Sequence, residues 1–513
     1  NDDYLEVLSR HLESWMQTNP PEFGVHWYSN LEISLRALAW LQILALVGDR
    51  LDSEIRAEMW RHLYHSGRHL TADLPYTVST MRNNHLLGDA LGLIALGTAF
   101  GGRAGQRWVS IGNRIFDQQL ARHMRRDGSM IEDSVSYHRF VLEMLSMRVV
   151  LGGESPEVLR AMTAAAQFLA RLGALEGSVP QYGDWDEGRL FAVSEDPTDL
   201  AGSVRLALAL AGDGAPEEWR AAHDEVAWFA GEGTPVSPDA AETSGGDIGA
   251  GIGRTTVGPF TVWLKGGSGP SHGHADLSSV SIAHDGRWLI GDPGTGTYNG
   301  PLEERNYFRG SRSHDVLRVD GEDQLVPHRA FRWAHQADGA IGDPIRFGDT
   351  VVMWTVHDAY TRLSPPRRVV RVVTVSPRAV EVVDHVEGPP ASVDLTLPLH
   401  PQATWNETAS TIELDGESFA LELPLGDMTT TRCGEDPYAG WWSDTYGSAE
   451  PATVIDIRAD SGDPIKWVVR SLDDSGPNVR SGDGHEPVST VLLNEAGVRL
   501  RVEIDGRTFL RSI

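Results

Sequence analysis

The chain has 513 residues, 41% of them hydrophobic and 23% charged, with a formal net charge of −28 and one cysteine, Cys433. That length exceeds what one hydrophobic core organises, so two or three domains are expected in an ordinary globular protein. The charge argues against nonspecific nucleic-acid or membrane binding, and the lone cysteine excludes an internal disulfide and any cysteine-rich zinc motif.

The N-terminus, Asn1-Asp2-Asp3-Tyr4, shows neither a basic nor an apolar leader region. A secreted or periplasmic location is favoured, with a cytoplasmic one left open. From Asp2 to about Phe229 the apolar spacing is helical. Leu31–Trp40 repeats at helical intervals and closes at Gly48. Further helices are expected at about 51–70, 84–100, 104–124, 132–151, 156–173, 197–212 and 216–230. Breaks such as Arg126-Asp127-Gly128-Ser129 separate them, so eight or nine helices in antiparallel hairpins are expected. Periodicity alone leaves bundle, solenoid and toroid open. The longest apolar run, Ala37–Val47, is interrupted by Gln42 and is too short to cross a bilayer.

Residues 231–253 are rich in Gly, Pro, Ser, Asp and Glu and read as a linker. Strand patterns follow at 260–264, 277–283, 351–356, 369–375, 380–383, 393–397 and 498–504, with turn signals such as Asp285-Gly286, Asp320-Gly321 and Asp505-Gly506. The second half therefore reads as all-β, in stacked antiparallel sheets. The expected domains are 1–235 and 246–513, with a further division near 400–410.

Four short stretches carry candidate chemistry. Met81-Arg82-Asn83-Asn84-His85 leads into an apolar helix, where an Asn is an ordinary N-cap. Ser136-Tyr137-His138-Arg139 stands at the start of another helix, where a Tyr is ordinarily packing. Gly183-Asp184-Trp185-Asp186-Glu187-Gly188-Arg189 is a Gly-flanked acidic loop, for which a structural role leads. Ser271-His272-Gly273-His274-Ala275-Asp276 is followed by Asp292 and His314. In extended chain residues i and i+2 share a face. His272 and His274 can thus line one cleft, with His274, Asp292 and His314 acceptable to a divalent metal.

These residues suit β-elimination beside a uronic acid. Amide or imidazole donors neutralise the C6 carboxylate, a base takes the C5 proton, and an acid protonates the departing O4. Tyr and His suit both proton transfers; a basic Tyr needs cationic neighbours, for which Arg139 and His85 are the candidates. Arg82, Arg189, Arg305, Arg309 and Arg312 also fall near these motifs, and screening within about 8 Å lets such a cluster govern its own cleft despite the net charge.

In this order of motifs, with Gly291-Asp292-Pro293-Gly294 and Phe308-Arg309-Gly310-Ser311-Arg312-Ser313-His314-Asp315, the chain resembles the heparinase II/III-like superfamily of polysaccharide lyases. The resemblance runs from residue 30 to about 400. It implies an α+β multidomain fold: an N-terminal incomplete (α/α) toroid, then a C-terminal antiparallel β-sandwich, with the cleft between. It makes Asn84 and His85 the carboxylate-neutralising pair, Tyr137 the proton donor and one candidate for the base, and His272 the alternative base. It makes His274, Asp292 and His314 ligands of one mainly structural metal, usually zinc, with manganese also compatible. Tyr298, Arg305 and Arg309 are the expected substrate contacts.

The expected partner is an acidic polysaccharide, a hyaluronan, chondroitin or heparan type before alginate or another bacterial exopolysaccharide. Two other readings stand beside it. One is a glycoside hydrolase on an α/α scaffold, using Asp133 with Asp184 or Asp186. The other is a noncatalytic carbohydrate-binding protein with a purely structural metal.

Overall fold

Some helices are apolar all round and others carry a single apolar stripe, and that difference sets the layers. A computed structural model describes residues 2–153, 155–191, 196, 198–240, 244–267, 272–472, 488–494, 497–504 and 507–512. Ser271 and the Asp505-Gly506 turn lie outside them. The helices of the first half are α1 (Asp2–Thr18), α2 (Asn30–Val47), α3 (Ser53–Thr80), α4 (Asn84–Phe100) and α5 (Gly102–His123). They continue as α6 (Val135–Val150), α7 (Pro156–Leu172), α8 (Ala201–Ala211), α9 (Glu217–Ala222) and α10 (Asp224–Phe229). Helices α4 and α6 are buried along nearly their whole length, whereas α5 and α7 bury one side. The pairing α4 with α5 and α6 with α7 gives inner and outer helices of an incomplete toroid.

The helix expected at 216–230 is two, α9 and α10, broken at His223, and two further helices differ from expectation. Helix α3 runs on to Thr80 with Pro75 inside it. Proline removes one backbone donor, but Leu70 and Thr77 remain buried on the same helix, and this packing carries it through. Helix α2 with the turn after it, Asn30–Arg50, is by length and composition long and apolar enough to cross a membrane, contrary to the sequence expectation. It packs on α4, with Ile33, Ala37 and Leu38 in the core.

The second half is antiparallel throughout its sheets. A four-stranded sheet comes first, β1 (Ile252–Val257), β2 (Phe260–Lys265), β3 (Val280–His284) and β4 (Arg287–Ile290). A nine-stranded sheet and a second four-stranded sheet, which includes β5 (Leu317–Val319), share one apolar core with it: Val262 and Ile282 meet Val373 and Val382, and Leu317 and Leu395. Strands from before and after 400–410 lie side by side in both larger sheets, so strand pairing does not divide the chain there. The half is not purely β. One helix, α11 (Leu302–Arg309), and a small hairpin, β6 (Pro327–Arg329) with β7 (Arg332–Trp333), stand beside the cleft.

The two halves meet through Trp263 of β2, which is fully buried in the helical core and donates its indole N–H to the Leu172 carbonyl at 2.9 Å. A seam built this way is rigid enough to place side chains from both halves around one point.

Candidate reaction centre and metal-ligand cluster

Helix α6 begins at Ser134, whose hydroxyl accepts the Tyr137 N–H at 3.1 Å and donates to the Asp184 carbonyl at 2.5 Å. Ser136 does the same for the next turn, donating to the Asp186 carbonyl at 2.6 Å. From the β half, His272 N–H donates to the Glu132 carbonyl at 3.0 Å and receives Asp184 N–H on its own carbonyl at 2.7 Å. Three segments are laced together here, and Gly183 makes this possible. Its φ is +77°, and a Cβ would stand 2.5 Å from the Asp133 carbonyl oxygen and 3.0 Å from that of His272.

The lacing brings Tyr137 and His272 into a parallel stack, ring centroids 4.0 Å apart at 15°. The Tyr137 hydroxyl donates to Asp186 Oδ2 at 2.9 Å and lies 3.4 Å from the Tyr298 hydroxyl. Burial pushes the Tyr137 phenol well above its usual range, and the Asp186 and Asp184 carboxylates push it further. The expected lowering by Arg139 and His85 is absent. Arg139 is buried over the Trp185 ring at 5.9 Å, and of the carboxylates around it Glu143 acts on it most. A phenol held protonated is a proton donor in waiting.

His272 donates Nδ1–H to Asp184 Oδ2 at 3.1 Å, the tautomer assigned because a carboxylate only accepts. This leaves Nε2 as the free basic nitrogen, 3.7 Å from Glu132 Oε2. Burial alone would lower the His272 pKa; the bond to Asp184 and the charges of Asp184, Glu132 and Asp186 outweigh it and raise it. His85 is half-buried close by. Burial lowers its pKa against the pull of Glu132 and Asp186, and its ring has no hydrogen-bond partner among the described residues.

Asn84 is placed differently from the sequence expectation. It is fully buried, and its backbone N–H and side-chain Nδ2 both donate to Glu132, at 2.8 and 2.6 Å. The N-cap is Asn83, whose side chain accepts the His85 N–H. Glu132 was invisible in the sequence, standing outside every motif in a plain Ile131-Glu132-Asp133 turn.

Asp184 was read as loop structure, yet it joins the site's parts. It accepts from His272 Nδ1, from His274 Nε2 at 3.2 Å and from Arg305 Nη2 at 2.6 Å. Burial opposes its ionisation, but these donors hold it well below the usual carboxylate range. Asp184→Asn is expected to lower turnover and metal retention by about 10–100-fold each, the usual cost of losing a carboxylate behind a ligand histidine. Elemental analysis alongside kinetics measures both.

Behind His274 lies the metal-ligand cluster. One ligand atom each of His274, Asp292 and His314 falls within 4.8 Å of the others, and all three residues are buried. His274 Nδ1, Asp292 Oδ2 and the ring nitrogens of His314 have no hydrogen bond. Burial pushes the Asp292 carboxyl up and His314 down to about 3. Unpaired buried lone pairs facing one another fit a divalent cation, and Asp184 on His274 Nε2 is the outer support such ligands carry. The segment bearing His314 is held from the nine-stranded sheet: Arg371 bonds Asp384 through two nitrogens at 2.7 Å and the Asp315 carbonyl at 2.7 Å.

Of the expected substrate contacts, Tyr298 faces the Tyr137 hydroxyl, while Arg305 and Arg309 turn inward and are 2% and 1% exposed. One helical turn apart on α11, both donate to the Ala330 carbonyl at the tip of the β6–β7 hairpin, at 3.2 and 3.0 Å. Arg309 also bonds Asn306 and lies over Trp333. The hairpin they grip presents Phe331, 48% exposed, 4.9 Å from Tyr298 and 6.2 Å from His272. Exposed His328, Arg329 and Arg332 flank it. Sequence reading missed this wall because nothing in Pro327–Trp333 shows which surface it joins.

Residues 246–480 match the family described as Heparinase II/III-like, C-terminal. A search of curated protein sequences gave no match. Among solved structures, Heparinase III is 15% identical with a TM-score of 0.67, over all of this chain and 80% of that one. The Heparinase III-BT4657 gene product is 16% identical with a TM-score of 0.66, over 100% and 82%. Heparan sulfate lyase HepC from Pedobacter heparinus is 16% identical with a TM-score of 0.58, over 100% and 79%. At such identities the likeness is one of fold: a helical toroid followed by an antiparallel β-sandwich.

Proposed function

We propose that this chain, whose residues 246–480 are a heparinase II/III-like C-terminal domain, is a polysaccharide lyase that cleaves a uronic-acid polymer by β-elimination. The observation that carries the reading is the Tyr137–His272 stack at the seam, with a protonated phenol on one side and an Asp184-oriented imidazole on the other. His272 Nε2 takes the C5 proton, the electrons form the C4–C5 double bond, and Tyr137 gives its proton to the leaving O4. The raised phenol keeps Tyr137 to the acid step. His85 meets the C6 carboxylate. Asn84 contributes by holding Glu132 beside His272, which the bonds between them support.

The substrate class is a glycosaminoglycan of heparan, chondroitin or hyaluronan type, ahead of alginate. The similar folds of heparan sulfate lyases and the uncommitted Arg329 and Arg332 beside Phe331 support an anionic polymer. Such a polymer does not cross membranes unaided, which supports a secreted or periplasmic enzyme. His274, Asp292 and His314 hold the metal, zinc before manganese by the two-imidazole, one-carboxylate donor set. Bound there, it supplies a fixed positive brace for the cleft wall.

The hydrolase reading loses its carboxylate pair. Asp133 is salt-bridged to Arg125 at 2.8 Å, Asp184 is committed to three donors, and Asp186 accepts the Tyr137 hydroxyl at 2.9 Å and the Gly188 N–H at 3.1 Å. A panel of uronic-acid polymers tests the lyase reading by ultraviolet absorbance of the unsaturated product, with mass identification. Saturated products throughout the panel sink it.

Two further outcomes are expected. Because Asp184 and Glu132 raise His272, kcat/KM for a substrate using the His272 base rises with pH through an apparent pKa above the ordinary 6.5. A pH profile flat from 6 to 8 contradicts that assignment. Joint Arg329→Ala and Arg332→Ala substitution raises KM by roughly threefold to tenfold at low salt, with kcat little changed. Each exposed ionic contact adds no more than about 1 kcal/mol, and the effect fades as salt is added.

A further inference from the structure

On the helical side of His85 opens a cavity of about 520 Å³, large enough for a sugar ring. Its rim is aromatic: Tyr28 is 90% and Tyr76 55% exposed, with Trp27 beneath. Its polar groups are acidic. Asp73 accepts from Asn30 Nδ2 at 3.0 Å, and Asp89, 1% exposed, has both carboxylate oxygens without a hydrogen bond. Asn30 Oδ1 is a further unpaired acceptor. No lysine or arginine lines the cavity; His69 and His85 are its only other titratable groups besides the tyrosines. Burial pushes the Asp89 carboxyl up to about 7 against the pull of the neighbouring Thr77 hydroxyl and Asn30 amide, and Asp73 adds to the rise.

That chemistry is out of place beside a reaction centre for polyanions. Sulfate or carboxylate at this position would meet two acidic groups and no cation. An N-acetyl group offers one N–H to a floor with several vacant acceptors. An ammonium offers three N–H donors and a charge that carboxylates and aromatic faces both favour. His85 lines this cavity and also feels Glu132 and His272, so the cavity and the reaction centre are neighbours.

We propose that this cavity is a subsite for a hexosamine residue with a free amino group, held as ammonium by Asp89 and Asp73 within the Tyr28–Tyr76 rim. The proposal rests on the carbohydrate reading above and adds the residue's chemical identity. The test uses binding, so that it does not depend on cleavage. One uronate–hexosamine oligosaccharide, in N-acetylated and chemically de-N-acetylated forms, is titrated into Tyr137→Phe protein by calorimetry. The amine form is expected to bind at least tenfold more tightly. Asp89→Asn and Asp73→Asn, each in that background, are expected to reduce the preference below threefold. Should Asp89→Asn fail to fold, the half-buried Asp73 still gives the answer. Equal or weaker binding of the amine form, a preference that survives the available substitutions, or no binding of either form overturns the proposal. The lyase reading stands or falls separately, on the absorbance assay with unsubstituted protein.

Discussion

Tyr137→Phe is expected to cut the rate of unsaturated-product formation by about 10²–10⁴-fold, the range over which a positioned acid acts. Phenylalanine keeps the ring that stacks on His272 at 4.0 Å, so the fold and most of the ground-state binding survive. What disappears is the one hydroxyl that bonds Asp186 and faces Tyr298. The Tyr298 phenol is itself raised by burial and by Asp184, and it stands 3.4 Å from the missing group. The measurement is kcat and KM from the absorbance rise, with binding checked by calorimetry: kcat falls and KM holds. A variant that keeps full activity removes Tyr137 from the chemistry altogether.

Asp292→Ala is expected to be the most damaging substitution to stability. It removes the only carboxylate of the three-residue cluster and leaves His274 Nδ1 and His314 buried around a weakened site. Breaking a buried charged set by deleting one partner costs roughly 3–5 kcal/mol. Elemental analysis should read at least one divalent ion per chain in the parent, and about one fewer in the variant. Prolonged treatment with a strong chelator should lower the unfolding temperature of the parent in the same direction, and adding zinc should restore it. An unfolding temperature indifferent to both treatments denies the cluster its role as a brace. Activity should fall with the metal, because His274 shares Asp184 with His272.

The order of motifs carried the fold further than it carried the site. Apolar spacing located the inner helices α4 and α6 closely, since they are buried on all sides and their patterns are long. Strands at 351–356, 369–375 and 393–397 were likewise legible from runs of Val and Leu. Helix α11 was not, because half of its Leu302–Arg309 sequence is charged and its buried residues include two arginines. The same blindness explains the site. His272, His274, Asp292, His314 and Tyr137 stand in recognisable stretches, and the fold brings them together. Glu132 and Phe331 have no local signature; they matter only through neighbours distant in the sequence, such as His272 for both. Asn84 and Arg305 were read as reaching toward substrate, whereas burial turns each onto a carboxylate of the protein itself.

Arg305 touches two things that would otherwise be independent. Through Nη2 it holds Asp184, and through Nε it holds the carbonyl of Ala330. The grip on the hairpin is thus on backbone, which every amino acid possesses, and on the Phe331 ring 5.6 Å below the guanidinium, while the exposed side chains of His328, Arg329 and Arg332 take no part in it. Those three positions are therefore interchangeable parts on a fixed mount. Mutation can redraw what the hairpin reads, whether by natural drift or by grafting, without disturbing the imidazole on which the elimination depends.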